Sequence, residues 1–285
     1  MKKDNFQRVQ TLIEALPYIQ KYNGKIVVIK YGGNAMINDE LKNAVMRDIV
    51  LLSIIGVKVV LVHGGGPEIT ELLARLGKES EFIDGLRVTD SETAEAALMV
   101  LAGKINKNLV NLINNIEGRA IGLCGVDAHM IEARQLDEKL GFVGEITNIN
   151  DESILDLLDS GYIPVISTVG CDRDGNIYNI NADTAAAMIA AKLSAESFIS
   201  MTDIKGLLRE RDDEDSLIPV VNIKDVPSLI EGGVISGGMI PKVNCCVDAI
   251  EGGVGRVFIL DGRVPHSILI EMLTNEGVGT MFINS

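Results

Sequence analysis

The sequence contains little cysteine: its four copies are Cys124, Cys171, Cys245 and Cys246. They lack the paired spacing typical of a zinc site, and the adjacent Cys245 and Cys246 are better explained by packing of a helix. Structural disulfides are equally disfavoured, as in proteins of a reducing compartment. We therefore expect a cytoplasmic protein.

Long apolar runs and excess positive charge are also missing. No apolar run approaches the roughly 20 residues of a membrane span, and no apolar segment follows the two lysines of "MKKDNFQRVQ", so we expect neither a membrane span nor a signal peptide. The net charge is −14, which disfavours nucleic acid and anionic membranes as partners. Any bound anion must be held by local lysines and backbone amides.

The familiar phosphate-binding signatures do not occur. The sequence has no G-x-x-x-x-G-K-[ST], no G-x-G-x-x-G after a strand and no protein-kinase motif set. A dinucleotide dehydrogenase is therefore disfavoured. None of the three histidines belongs to a convincing catalytic triad. His63 is best interpreted as a structural hydrogen-bonding residue at the end of a strand.

Short β-branched runs alternate with longer helical patterns. The runs are continuous rather than alternating, which indicates strands that are covered on both faces, as in a parallel sheet. We predict an α/β fold, a three-layer αβα sandwich with a central, mostly parallel sheet. The predicted strands lie at 25–30, 57–63, 120–126, 162–168, 197–202 and 256–260.

Local signals refine this prediction. Asp151 is expected to cap a helix that ends at Gly161, and "DRDG" (172–175) predicts a hairpin turn. The charged run "RERDDEDS" (209–216) is expected to be a solvated loop. A faint boundary near residue 195 divides the chain into an N-terminal lobe (25–194) and a C-terminal lobe (195–285), which we expect to share one sheet.

Residues 1–24 form a separate N-terminal interaction segment. An apolar stripe at helical spacing predicts a helix over 6–22, kinked at Pro17. The stripe either packs on its own lobe or is buried on another subunit, and the sequence leaves both possibilities open. Its members are Val9, Leu12, Ile13, Leu16 and Ile19.

Three glycine-rich elements are candidate anion-binding sites: "KYGGN", "HGGGPEIT" and "SGGMIPKVN". Consecutive glycines let backbone N–H groups approach a ligand, and a following helix N-terminus adds partial positive charge. Lys30 ends a strand beside the first element, and Lys242 lies just inside the helix that the third element opens. Each glycine pair taken alone could be only a tight turn.

The stretch "YNINADTAAAMIA" (178–190) places Asn179, Asn181 and Asp183 at alternate positions. On an extended segment these three side chains would face one side. A carboxylate there would orient two nearby lysines and keep them charged. The simpler interpretation is a helix N-cap with two turn asparagines.

In this order, "KYGGNAM", "VLVHGGGPEI", "GLRVTD", "YNINADTAAAMIA", "MTDIKGLL" and "GGMIPKV" span nearly the whole chain. Together they resemble the amino acid kinase family, and within it the members that phosphorylate N-acetyl-L-glutamate. The resemblance implies a substrate-binding and dimerising N-terminal lobe and an ATP-binding C-terminal lobe. It also implies transfer of the γ-phosphoryl group of ATP to the side-chain carboxylate of N-acetylglutamate, a step of arginine biosynthesis.

The same resemblance implies roles for individual residues. Lys30 and Lys242 would stabilise the transferring phosphoryl group, and Asp183 would organise the two lysines. Mg2+ would be held mainly through ATP. The implied substrate-binding residues are Gly65, Gly66, Arg87, Asn179 and Asn181, and those for the nucleotide are Gly32, Gly33, Thr202, Asp203, Gly237, Gly238 and Met239.

Both ends of the sequence resemble those of arginine-inhibited members. This implies feedback inhibition by L-arginine and a hexamer built as a trimer of dimers, interlaced by the N-terminal helices. The residues implied at the effector site are Tyr22, His266, Glu276 and Gly279.

Two kinds of alternative remain at this point. One is a sister kinase that acts on aspartate, glutamate, carbamate or a nucleoside monophosphate, against which "GLRVTD" and "NINAD" argue. The other is a non-catalytic arginine or nucleotide sensor on the same fold, which should have lost Lys30, Lys242 or Asp183.

Overall fold

The structure, a computed structural model, describes residues 3–36, 38–210 and 213–285. The strands in chain order are β1 (Ile26–Tyr31), β2 (Lys58–His63), β3 (Phe82–Ile83), β4 (Leu86–Arg87), β5 (Ala120–Cys124), β6 (Ile131–Gln135), β7 (Gly144–Ile149), β8 (Ile163–Ser167), β9 (Val169–Cys171), β10 (Ile177–Asn179), β11 (Ser197–Thr202), β12 (Val220–Asn222), β13 (Arg256–Asp261) and β14 (Thr280–Ile283). The helices are α1 (Lys3–Tyr22), α2 (Asp39–Ile54), α3 (Gly66–Arg75), α4 (Ser91–Leu98), α5 (Asn106–Asn115), α6 (Glu152–Asp159), α7 (Ala182–Lys192), α8 (Val226–Glu231), α9 (Met239–Glu251) and α10 (Ser267–Leu273). A π-helical segment, Met99–Ile105, joins α4 to α5.

The main sheet has eight strands within the described residues, in the order β12-β14-β13-β11-β1-β2-β8-β5. From β13 to β5 the neighbouring strands are parallel, whereas β14 runs antiparallel to β13. The β1–β11 pair joins the segments before and after residue 195 in one sheet. The carboxyl ends of β1, β2, β8, β11 and β13 therefore meet at one edge, which is where α/β sheets bind ligands.

Alternate residues of the central strands enter two different apolar cores. Val28, Val60 and Phe198 belong to the core on one face of the sheet. Val27 and Ile199 belong to the core on the other face. Helices α6, α7 and α9 cover the first face, and α2, α3, α5 and α10 cover the second. The predicted αβα sandwich and its six strands are confirmed.

Smaller elements complete the N-terminal lobe. A second sheet has the order β10-β9-β6-β7, and β3 and β4 form a hairpin. Strands β9 and β10 are antiparallel and joined through 172–176, so the hairpin predicted at "DRDG" is confirmed. Asp151 occupies the N-cap position of α6, but its side chain makes no capping bond. The Oδ1 atom of Asn150 accepts the weak bond from the Glu152 N–H at 3.4 Å instead.

Helix α1 is one uninterrupted element that contains Pro17. Its last turn is anchored, because Tyr22 is buried and the Tyr18 hydroxyl hydrogen-bonds the side chain of Asn275. Its apolar stripe is exposed: Val9 by 53%, Leu12 by 71% and Leu16 by 49%. Among the described side chains of α1, those near its end are the ones that pack on their own chain, and the kink stays a prediction.

Two further expectations concern charge and membranes. Of the run 209–216, residues 211 and 212 lie outside the described residues, and Glu210, Glu214 and Asp215 are exposed as expected of a solvated loop. Across the described part of the chain, we find no helix that combines the length and the apolarity needed to cross a bilayer.

Candidate active site

Two lysines distant in sequence meet on one carboxylate at the carboxyl edge of the sheet. Nζ of Lys30 lies 2.9 Å from Oδ1 of Asp183, and Nζ of Lys242 lies 2.8 Å from Oδ2. Lys30 ends a buried strand and is only 7% exposed, whereas Lys242 projects from the first turn of α9. The structure thus brings together the three residues for which catalytic roles were predicted.

The electrostatics of this cluster depend on Asp183. Burial alone would raise the pKa of its carboxyl group, but Lys30 and Lys242 outweigh this and lower the pKa to about 2. Asp183 is therefore ionised at neutral pH, and it holds both ammonium groups in place. One carboxylate and two ammonium groups leave the cluster with a net positive charge that suits an anionic ligand.

The α7 N-terminus fixes the position of Asp183. Asn181 is the N-cap, and its Oδ1 accepts bonds from the N–H groups of Asp183 and Thr184 at 3.0 and 3.1 Å. Strand β10 ends at Asn179, Asn181 is still extended, and the helix begins at Ala182, so Asp183 does not belong to an extended segment. The simpler interpretation is correct that a helix cap lies here, but the cap is Asn181, one of the two asparagines that it placed in a turn.

A cavity of about 230 Å³ lies beside Lys30 and between β1, α3 and β10. Asn179 lines it and donates a weak 3.4 Å bond to Thr89 Oγ1. The cavity brings together all five residues predicted to bind the amino-acid substrate. Its polar and backbone lining includes Lys30, Gly32, Gly33, Gly64, Gly65, Gly66, Arg87, Thr168, Asn179 and Asn181.

Arg87 is held rigidly at the wall of this cavity. One of its terminal nitrogens donates to Gly66 O at 2.8 Å and to Thr70 Oγ1 at 2.9 Å, and the other donates to Ser80 Oγ at 2.5 Å. Its guanidinium group also lies 4.8 Å from the centre of the Phe82 ring. A buried, pre-oriented guanidinium of this kind is suited to pair with a carboxylate.

Gly65 and Gly66 form the N-terminus of α3, whose first N–H groups have no partner within the helix. A side chain at Gly65 would force its neighbours to move, because its Cβ would lie 2.1 Å from Ile105 Cδ1 and 2.8 Å from Leu101 Cδ2. The buried side chains of the π-helical segment thus pack closely on the glycine turn and leave little room for a side chain there.

A larger cavity of about 1050 Å³ adjoins the first, and the two share Gly85, Leu86, Val143 and Asn181 as lining residues. Asp183 and Lys242 lie on its wall, together with Gly237 and Gly238. Gly237 has a left-handed φ of +54°, and a Cβ at either glycine would meet open space. These two glycines leave the start of α9, where Met239 is the first residue, open to a ligand.

The residues predicted to contact the nucleotide lie in more than one environment. A Cβ at Gly33 would lie 2.6 Å from Asp203 Oδ1, and a Cβ at Gly32 would lie 3.2 Å from Lys30 Nζ. A side chain at either glycine would therefore press on Lys30 or Asp203, and both glycines line the smaller cavity. Thr202 is different, because its buried hydroxyl donates to the carbonyl groups of Ile204 and Leu260.

The four predicted effector residues lie at several points around α1 and α10. Tyr22 is buried beside Ser197 and Arg256, and Nδ1 of His266 lies 2.5 Å from Oδ1 of Asp48. Glu276 is exposed, and a Cβ at Gly279 would lie 2.1 Å from Ile259 O. These contacts do not bring the four residues together in one site.

Sequence reasoning missed Ser200 and Thr168. Ser200 pairs with Lys30 in the β1–β11 register, and its hydroxyl donates weakly to Asp183 Oδ1 at 3.4 Å. Thr168 is 1% exposed and lines the smaller cavity. For both residues, the only signal in the sequence was a polar side chain near the end of an otherwise apolar strand. Within the described residues, no three His, Cys, Asp or Glu side chains form a metal-binding group.

The fold and the paired lysines define a phosphoryl-transfer enzyme class, and the comparison with known families agrees. The profile of the amino acid kinase family matches residues 25–261. The chain belongs to the amino acid kinase family. Within it, the chain is 56% identical to the acetylglutamate kinase of Brachyspira hyodysenteriae over 280 residues, covering 98% of this chain and 97% of the relative.

Two other similarities support this position. The acetylglutamate kinase of Clostridioides difficile is 56% identical over 278 residues, covering 97% of both chains. The structure of N-acetylglutamate synthase from Neisseria gonorrhoeae, complexed with coenzyme A and N-acetyl-glutamate, aligns with a TM-score of 0.86 and 27% identity over 97% of this chain. This chain spans only 63% of the length of that synthase, which was also solved with coenzyme A and L-arginine.

Proposed function

We propose that this protein transfers the γ-phosphoryl group of ATP to the side-chain carboxylate of N-acetyl-L-glutamate, a step of arginine biosynthesis. The observation that carries the proposal is the convergence of Lys30 and Lys242 on Asp183, at the junction of two adjoining cavities. The 56% identity to acetylglutamate kinases over almost the full chain supports the choice of substrate.

The reaction requires no general base from the protein. The side-chain carboxyl group of glutamate ordinarily has a pKa of about 4.3, so the attacking oxygen is already ionised near pH 7. The obstacle is the repulsion between an anionic nucleophile and an anionic phosphoryl group, and catalysis consists of positioning and electrostatic stabilisation. Lys30 and Lys242 supply this positive charge, and Asp183 keeps both aimed at one point.

The smaller cavity is the proposed binding site for N-acetylglutamate. Arg87 pairs with its α-carboxylate, the N–H groups of Gly65 and Gly66 bind its anionic oxygens, and Asn179 contributes a further hydrogen bond. Asn181 contributes through its cap of α7, which holds Asp183 in place. The tight packing of Gly65 against Ile105 supports a backbone contact at this position.

ATP, the second substrate, supplies the phosphoryl group. Its triphosphate would lie along Gly32, Gly33 and the start of α9, since Gly32 and Gly33 line the smaller cavity and Gly237 and Gly238 line the adjoining larger one. Gly237, Gly238 and Met239 present the amino end of α9 to it. Thr202 supports this site by holding the turn after β11. Mg2+ is expected to bind mainly through phosphate oxygens and water.

We place the boundary between the two lobes at residue 195. The lobe 25–194 binds the amino-acid substrate, and the lobe 195–285 binds the nucleotide. The shared sheet supports a fixed arrangement of the two lobes. The sister kinases for aspartate, glutamate and carbamate and the non-catalytic sensor are the rival functions. The intact lysine–aspartate cluster argues against the sensor.

Regulation by L-arginine and assembly into a hexamer are part of the proposal. The exposed apolar stripe of α1 supports burial on another subunit, because its own chain covers only its last turn. The related synthase was solved with L-arginine, which supports an arginine site on this fold. We place the effector where α1 packs on α10, because Tyr22 ends α1 and His266 precedes α10, and the resemblance assigns Glu276 and Gly279 to the same site.

A product-trapping assay tests the proposed function. The purified protein is incubated with ATP, Mg2+ and hydroxylamine, which converts an acyl phosphate to a hydroxamate that is measured as its coloured iron(III) complex. N-acetylglutamate, glutamate and aspartate are offered in parallel, with and without L-arginine. Hydroxamate should form with N-acetylglutamate at the highest rate, and arginine should lower that rate. Faster reaction with glutamate or aspartate would favour a sister kinase, and no reaction with any of them would favour the sensor.

A further inference from the structure

His63 is fully buried at the end of β2, directly before the glycine turn. Its Nδ1 lies 3.0 Å from Gly64 O, and its Nε2 lies 3.2 Å from the side-chain nitrogen of Asn106. Asn106 is also fully buried and begins α5, at the end of the π-helical segment. The two side chains thus connect three elements behind the substrate cavity.

These contacts fix the tautomer of His63. The oxygen of Gly64 can only accept, so Nδ1 must carry the proton, and Nε2 must then accept from Asn106. The amide of Asn106 is itself oriented, because Lys107 Nζ donates to its Oδ1 at 3.1 Å and its nitrogen donates to Val165 O at 2.8 Å. The second hydrogen of that nitrogen is shared between His63 Nε2 and Leu123 O, each at 3.2 Å.

The bond to Gly64 has a consequence on the other side of the same peptide. The peptide bonds of the described residues are trans, and in a trans peptide the C=O and the next N–H point in opposite directions. Gly64 and Gly65 line the smaller cavity, with His63 buried behind them. Holding Gly64 C=O toward His63 therefore turns the Gly65 N–H toward the cavity.

We propose that His63 and Asn106 are positioning residues that orient the Gly65 N–H toward the anionic substrate. This inference rests on the proposed function, in which that N–H binds N-acetylglutamate. The rest of the turn is anchored as well: Gly64 N–H donates to Tyr31 O at 3.2 Å, and Ile69 N–H donates to Gly65 O at 3.1 Å. Among the bonds described for this turn, that of His63 is the one made to the peptide between Gly64 and Gly65.

The electrostatics of the site keep His63 in the required form. Burial is the main cause that lowers the pKa of His63 to about 4. The bond to Gly64 raises the pKa by a smaller amount, and the charge of Lys107 lowers it again. The ring is therefore neutral at physiological pH. A protonated ring could not accept from Asn106, so neutrality preserves the bond between the two side chains.

The tautomer can be measured directly by 15N NMR on protein labelled in its three histidines. His63 should show a protonated Nδ1 and an unprotonated Nε2, unchanged between about pH 5.5 and pH 8. Its signals are assigned by their loss in His63→Asn, with His129→Asn as the control that removes only the signals of an exposed histidine. A protonated Nε2 or a titration within this range would overturn the proposal.

Kinetics then test the positioning role. In His63→Asn the amide nitrogen takes the place of Nδ1 and can still donate to Gly64 O, whereas His63→Leu removes the donor. We expect His63→Leu to raise KM for N-acetylglutamate about 10-fold or more, and His63→Asn to raise it less than about 3-fold. KM for ATP should be unchanged in both variants.

Equal KM values for N-acetylglutamate in the two folded variants, or an equal rise in KM for ATP, would overturn the positioning role. If His63→Leu fails to fold by circular dichroism, the comparison of His63→Asn with wild type and the NMR measurement still decide. If the wild-type protein forms no hydroxamate, the proposed function fails separately, and the NMR result alone decides whether His63 donates to Gly64.

Discussion

Lys242 on α9 and Asp183 on α7 are 59 positions apart in the sequence, yet Nζ and Oδ2 lie 2.8 Å from each other. The two helices pack side by side on one face of the sheet, and this packing is what carries Lys242 to Asp183. Lys30 reaches the other oxygen of the same carboxylate from the centre of the sheet. A phosphoryl group between the cavities would therefore meet positive charge from two independent structural elements.

Lys30→Met should lower kcat of the proposed reaction by a factor on the order of 100 or more, because it removes charge stabilisation in the transition state. Substrate affinity should change much less. Steady-state kinetics with N-acetylglutamate and ATP measure both quantities. Lys58→Met is the matched control, since Lys58 lies at the opposite end of the sheet in an exposed ion pair with Asp159. A kcat close to wild type in Lys30→Met would refute the role of Lys30.

Arg87→Ala should mainly raise KM for N-acetylglutamate, by roughly 10- to 100-fold, because charge-assisted hydrogen bonds contribute about 1.5–3 kcal/mol. KM for ATP should stay near the wild-type value. Arg134→Ala serves as control, since Arg134 is exposed and pairs with Glu145 across a peripheral strand pair. An unchanged KM for N-acetylglutamate would remove Arg87 from the proposed substrate site.

The sequence predicted those parts of the structure that depend on local pattern. The strands of the central sheet are continuous apolar runs because both faces are covered, and so the six runs were correctly identified. Strands β6 and β7, "IEARQ" and "GEITNI", escaped prediction because they are short and half-exposed. Their pairing with each other depends on tertiary context rather than on composition.

The residues of the candidate site likewise divide into those that a local pattern predicts and those that depend on tertiary contacts. Lys30 and the glycine turns were recognisable because a charged residue followed by glycines at a strand end is unusual. The bond between His63 and Asn106 was not, because 43 positions separate them and neither residue lies in a distinctive pattern. Asn181 was assigned to substrate by resemblance, whereas its side chain is occupied with capping α7. Its direct contact with substrate stays a prediction.

A pH dependence of stability is expected from Asp48. This residue is 1% exposed, and burial raises the pKa of its carboxyl group to about 6 despite the bond to His266. Because the folded pKa exceeds the unfolded value of about 3.9, stability from this group is complete below about pH 4 and is lost as pH rises through about 6. Its Oδ2 also has no hydrogen-bond partner, which accounts for the cost of ionisation.

Asp48→Asn should therefore gain stability relative to wild type as pH rises from 4 to 7, by no more than about 3 kcal/mol. Urea denaturation of both proteins at several pH values measures the difference in free energy of unfolding. Asp159→Asn is the control, because Asp159 is an exposed carboxylate in a surface ion pair. A difference that does not change with pH would contradict the assignment of a raised pKa to Asp48.

The role of α1 is best tested without shortening the chain. Tyr22 is only 3% exposed, so a deletion of residues 1–22 would remove a core side chain together with the apolar stripe, and a change in assembly would have two explanations. Leu12→Asp avoids this, since Leu12 is 71% exposed and its replacement leaves the core intact. If the stripe is buried on another subunit, a carboxylate there must be desolvated, and the proposed hexamer should dissociate to dimers.

Light scattering coupled to size exclusion measures the mass, and inhibition by arginine should be lost in the same variant while kcat without arginine is retained. Leu76→Asp, at a leucine that is 66% exposed beyond α3, should change neither property. A Leu12→Asp protein of wild-type mass would show that the stripe is not the contact between dimers, and arginine inhibition, if it persisted, would have to act within one chain.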